Sequence, residues 1–127
     1  MEITSYRYDP TTDIFLLEIS GTMDYPKLSE FVARAIRQEL FPQTCRKFLI
    51  YDDGIIAEET TSNATENIVK IHQEFEEALG SSKIAFYMED IKSHAKVQAI
   101  RGKIKAICRA FYSFDEAFEW LKKDLNY

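Results

Sequence analysis

Ile14-Phe15-Leu16-Leu17-Glu18-Ile19 is apolar at five of its six positions, too continuous for a strand with one wet face and too short for a helix of its own. Such a run reads as a strand covered on both sides. Just ahead of it, Asp9-Pro10-Thr11-Thr12 supplies a turn. Residues 2–8 alternate weakly, with Thr4, Tyr6 and Tyr8 on one face against Ile3, Ser5 and Arg7, as an exposed edge strand would. The short connection makes the two strands antiparallel, so the chain opens with a hairpin.

Beyond Ile19 the period changes. Leu28, Phe31, Val32, Ala35, Ile36 and Leu40 recur at three and four, with Pro26 near the start where its missing N–H costs nothing, predicting an amphipathic helix from Asp24 to near Pro42. Lys47 to Tyr51 is a short strand apolar on both faces. Asn63-Ala64-Thr65-Glu66 has the form of an N-cap with an acid at the third helical position, and Ile68, Ile71, Phe75, Ala78 and Leu79 carry a second helix that Gly80 stops. Ile84 to Met88 is another doubly buried strand. Asp90 caps a third helix with Val97, Ile100 and Ile104 inward, and Ile107 to Phe111 is the last strand. Ser113-Phe114-Asp115-Glu116 is a capping box opening a final helix, whose inner stripe is Phe114, Ala117, Phe118, Leu121 and Leu125.

The order ββαβαβαβα implies an α/β fold: a mixed, mostly parallel sheet of about five strands, with four helices distributed over both faces by right-handed crossovers. No linker or repeat interrupts it, so one domain covers residues 1–127. At 127 residues, such a chain buries roughly two-thirds of its unfolded surface and needs no metal or disulfide framework. Four Gly, three Pro and 13% aromatic residues exclude low-complexity and collagen-like classes. The longest apolar run, Ile84 to Met88, is far short of a membrane span. The first residues lack the cationic and apolar regions of a signal peptide, so the expected location is the cytoplasm. Cys45 and Cys108 show no CxxC spacing and read as reduced, structural thiols.

The residues also resemble a known family. Ile19-Ser20-Gly21-Thr22-Met23-Asp24, leading from a buried strand into the first helix, is similar to the Gly-x-hydrophobic-Asp signature of STAS domains. Phe111 to Leu121 resembles the last strand and helix of the SpoIIAA-like (STAS/SEC14) family. The resemblance implies a STAS-like fold and a small, bacterial, regulatory or protein-interaction module. Anti-sigma antagonists of that fold carry a phosphorylated Ser in Asp-Ser-x-Gly at the start of the second helix. The matching loop here, residues 52–63, lacks that motif; Thr60, Thr61 and Ser62 are the candidate phosphoacceptors, although hydroxyls before a helix also serve as ordinary caps.

Asp52 and Asp53 stand beyond the carboxyl end of a central strand, where open α/β sheets place ligands, which makes this loop a candidate site. No second strand end clearly adds carboxylates for a metal, and GxxxxGK[ST], GxGxxG and GxSxG are all absent. With two histidines in the chain a histidine triad has almost no material; His72, on the apolar face of its helix, reads as a hydrogen-bonded structural residue. No catalytic residue, metal ligand or cofactor is expected.

Charge is unevenly distributed. Residues 91–114 contain no acid and six basic residues, Lys92, Lys96, Arg101, Lys103, Lys105 and Arg109, so the net −5 divides into +6 there and −11 elsewhere. At about 100° per residue Lys92, Lys96 and Lys103 share the outer face of the third helix, unless Gly102 ends it early and Lys103 leaves that face. With His94 and Arg101 they form a candidate site for an anion or an acidic partner. The simpler alternative is that they pair with Glu74, Glu76 and Glu77. An acidic chain without a recognition helix is not expected to bind nucleic acid. The expected function is a non-enzymatic module that binds a protein partner, a second copy included. The alternative is a module binding an anionic small molecule or lipid, which requires an apolar cavity.

Overall fold

The computed structural model describes residues 1–54, 64–89 and 91–123, the side chains of residues 91–93 excepted. The elements are β1 (Glu2–Asp9), β2 (Ile14–Ser20), α1 (Tyr25–Arg37), β3 (Lys47–Asp53), α2 (Ala64–Glu74), α3 (Glu76–Leu79), β4 (Lys83–Tyr87), α4 (Ile91–Gln98), β5 (Ile107–Phe111) and α5 (Phe114–Lys122). The strands form one sheet in the order β1-β2-β3-β4-β5, with β1 antiparallel to β2 and every other pair parallel. The class is therefore α/β with a mixed, mostly parallel sheet.

Consecutive parallel neighbours have a consequence for the layers. Each crossover steps to the next strand in the same direction, so right-handed connections place their helices on one side. Phe31 and Ala35 of α1, Leu79 of α3 and Val97 of α4 pack on Phe15, Phe48, Ile84, Phe86 and Cys108 of that sheet face. Among the described residues the second face receives α5 alone, whose Ala117 and Leu121 cover Ile14, Leu49, Ala85 and Phe111. The sequence predicts crossover helices on both faces; instead the described crossover helices share one face, because the strands follow in sequential order, and the second face is covered by α5, which follows the last strand and makes no crossover. The second face of β2 is consequently incompletely covered: Leu16 and Glu18 are half-buried, not enclosed.

Other departures are local. Five helices are present among the described residues, not four, because the expected second helix breaks at Phe75. That residue leaves helical geometry (φ −109°, ψ 31°) and packs its ring against the core. The first helix ends at Arg37, short of Pro42: Glu39 adopts φ +53° and the Leu40 N–H returns to the Ala35 carbonyl at 2.9 Å, turning Phe41 inward. In β1 the register shifts between Ile3 and Ser5, so Thr4 is the extra residue. Ile3 thereby joins Tyr8 on the main core, and the Tyr6 ring lies 5.3 Å from that of Phe31.

Two helices carry side-chain caps, of which Ser113 is the one the sequence predicts. Asp24 accepts from the Lys27 N–H at 3.2 Å, and Ser113 from the Glu116 N–H at 3.4 Å. Lys83 is unusual, a lysine only 3% exposed within β4. Its ammonium donates to the Trp120 carbonyl at 2.9 Å and lies 4.4 Å from the Trp120 ring centre, fastening the last turn of α5 to the sheet. Because α5 is the single described helix on its face, Leu121→Ala is expected to lower unfolding free energy by about 2–5 kcal/mol, measured by urea denaturation.

Candidate functional site

Between the crowded sheet face and helices α1 and α2 lies an apolar cavity of about 100 Å³. Leu17, Ile19 and Ile50 form part of its floor, with Phe31 and Ala35 of α1 and Ile68 and Ile71 of α2 above them. Phe15, Phe41 and Phe48 close one side as a mutually packed trio, with ring centres 4.9 to 6.3 Å apart. Rigid rings held edge to face cannot collapse into a gap as flexible chains can, which is why a void persists here. On the outside, Glu74 ties the two helices together. The Tyr25 hydroxyl donates to one of its carboxylate oxygens and the Ser29 hydroxyl to the other at 3.1 Å, while Lys70 lies over the Tyr25 ring at 4.3 Å.

His72 is the one polar side chain lining the cavity among the described residues. The sequence predicts a hydrogen-bonded histidine at this place. Instead its Nε2 is buried with no hydrogen-bond partner among the described residues. Burial pushes its pKa down, against a smaller opposing effect of Glu76, and favours the neutral ring. On the far side of His72 lies a polar recess of about 230 Å³, which shares His72 and Ile104 with the cavity and adds Gln73, Glu76, Gly102, Lys103 and Lys105. The Gln73 amide donates to the Lys103 carbonyl at 3.3 Å, and the Lys105 ammonium pairs with Glu76 at 3.4 Å. Gly102 takes φ +83°, a conformation that lets the chain turn out of α4 toward this recess.

The basic residues do not form one patch. The third helix ends at Gln98, so Lys103 leaves its face and lines the recess. His94 stands instead at the carboxyl end of β4. Its Nε2–H donates to the Met88 carbonyl at 3.1 Å, and its ring stacks on Tyr112 with centres 3.6 Å apart. Arg101 donates to the Gln98 side chain at 3.3 Å, and Lys96 is half-buried. The side chain of Lys92 lies outside the described residues. The expected pairing of this run with the acidic second helix is realised between Lys105 and Glu76.

At the end of β3, Asp52 is buried and Asp53 exposed, and the Asp53 carbonyl accepts from the Gly21 N–H at 3.3 Å. Thr60, Thr61 and Ser62 lie outside the described residues, as do the expected caps Asn63 and Asp90. Among the described residues no three His, Cys, Asp or Glu side chains converge as a metal centre requires. Cys45 and Cys108 are free and buried, and burial raises both thiol pKa values, disfavouring the thiolate. No described helix is long and apolar enough to cross a membrane. On the second sheet face an open groove of about 560 Å³ runs over Leu16, Glu18, Tyr51 and Tyr87 beside Phe114, which is 40% exposed.

Comparison with protein-family models, with curated proteins and with solved structures finds no match. The cavity and His72 are thus read from their own geometry. In the sequence His72 stands on an apolar stripe, four residues after Ile68 and three before Phe75, and that spacing carries no more than a structural histidine. The void behind it left no sequence signal.

Below the ordinary histidine value of about 6.5, an unfolded chain takes up a proton at His72 that the folded chain resists. Stability linked to this group therefore rises with pH and is lost as pH falls through that window. The urea midpoint of the wild type is expected to drop more between pH 7 and pH 5.5 than that of His72→Gln, measured under identical salt.

Proposed function

We propose that the chain is a non-enzymatic binding module of STAS-like build that takes up a small apolar ligand between the sheet and helices α1 and α2. The observation that carries this reading is the cavity of about 100 Å³, walled by hydrocarbon except at His72. Hydrocarbon lining left unfilled forgoes the dispersion contacts that a filled core would make. A single larger side chain at Ala35 would supply them, and a bound ligand supplies them equally well. Apolar cavities about half as large again, roughly 150 Å³, take up benzene or xenon.

Benzene titration followed by methyl NMR tests the reading. Shifts are expected at Leu17, Ile50 and Ile68 and should vanish in Ala35→Leu, which should also gain about 1–2 kcal/mol in stability by filling the void. Absence of any shift at these methyl groups at saturating benzene would reject it.

A protein-interaction role is a second reading, favoured by the open groove over β1–β4. Its aromatic content is high for a solvent-facing surface: Tyr51 and Tyr87 stand with ring centres 4.8 Å apart, and Phe114 borders them. The two readings use opposite faces of the sheet. Tyr87→Glu should abolish a partner contact and leave benzene binding unchanged.

A further inference from the structure

The wall shared by the cavity and the polar recess defines more than the size of an occupant. On the inner side the lining is hydrocarbon apart from His72. A charged group placed there would lose its hydration without compensation, so the body of the ligand must be apolar. His72 lines both spaces, and its Nε2 is buried without a hydrogen-bond partner among the described residues. On the outer side stand Lys103, Lys105 and Glu76. Lys105 and Glu76 neutralise each other at 3.4 Å, whereas Lys103 has no carboxylate partner among the described residues. With a neutral imidazole the described residues of the recess carry one net positive charge.

We propose that the ligand is a short amphiphile bearing one carboxylate, its hydrocarbon body seated among Leu17, Phe31, Ile50 and Ile68. Its head stands at the His72 wall, accepting a hydrogen bond from a protonated Nε2 and facing the Lys103 ammonium. This identification rests on the ligand-binding reading above and goes further by naming the head group. Two arguments decide the class. A carboxylate satisfies the unpartnered Nε2 and meets a cation at once, a charge-assisted arrangement stronger than a neutral hydrogen bond. An ammonium head would instead face Lys103 and Lys105, with the one carboxylate in the recess already paired. The volume limits the body to a short branched or cyclic hydrocarbon, since about 100 Å³ is less than the roughly 150 Å³ cavity that accommodates benzene.

Calorimetric titration of the full chain with isovalerate, isoamyl alcohol and isoamylamine, which share one branched body and differ in head group, separates the possibilities. Isovalerate is expected to bind about tenfold more tightly than the alcohol, with the amine weakest. Lys103→Gln, at an exposed position where folding is not at risk, should weaken isovalerate about three- to tenfold and leave the alcohol unchanged. Equal affinity for acid and alcohol, or no effect of Lys103→Gln on the acid, overturns the carboxylate assignment even if benzene still enters the cavity. Failure of all three compounds and of benzene overturns this assignment together with the ligand-binding reading.

Discussion

From β2 to β5 each parallel strand is laid beside its predecessor in the same direction, and a right-handed crossover then has one side on which to place its helix. Helices α1 to α4 must therefore share a single face of the sheet. This handedness constraint organises the rest of the molecule. The crowded face has to accommodate four helices of unequal length over strands rich in phenylalanine. Among the described residues the opposite face is left with α5, whose apolar stripe covers β3 to β5 and the Ile14 end of β2 and leaves the rest of β2 and β1 only partly covered.

Crowding does not produce uniform packing. Phe15, Phe31, Phe41 and Phe48 meet neighbouring rings at steep angles, which satisfies their quadrupoles but fixes their positions. Where α1 and α2 bridge this rigid layer, the helices are tied externally through Tyr25, Ser29 and Glu74. The void beneath them is thus framed by stiff walls and a polar clasp. His72 sits at the boundary because the stripe of α2 continues past Ile71 toward the segment 102–105, where apolar lining gives way to lysines.

Much of the scaffold was legible in the sequence because its signals were local. Runs such as Phe48 to Tyr51 and Ile84 to Met88 are apolar at consecutive positions, the pattern of a short strand covered on both faces. Asp24 and Ser113 announce helix starts through their own capping chemistry. What stayed hidden depends on non-local geometry. The extra residue at Thr4, which moves Ile3 to the other face, is fixed by pairing with Ile19 and Glu18. The break at Phe75 answers the demands of the core rather than any breaker in the sequence. The basic run of residues 91–114 has a clear composition, yet early termination of α4 sends Lys103 to one place and leaves His94 in another. A cavity is a property of what three elements fail to fill, and no residue string encodes it.

The anchoring of α5 by Lys83 bears on how the chain acquires its structure during synthesis. Lys83, Ala85 and Tyr87 on β4 look toward a face that no earlier described segment covers. The nascent polypeptide emerging from a ribosome can assemble the sheet and its first helical layer while this strip is still wet, with the Lys83 ammonium hydrated. Docking of residues 114–122 then dehydrates the strip and delivers the Trp120 carbonyl and indole to the waiting cation in one step. Until that moment the strip is a sticky surface that a chaperone or another nascent chain can reach, and the time spent before α5 arrives sets the exposure to aggregation.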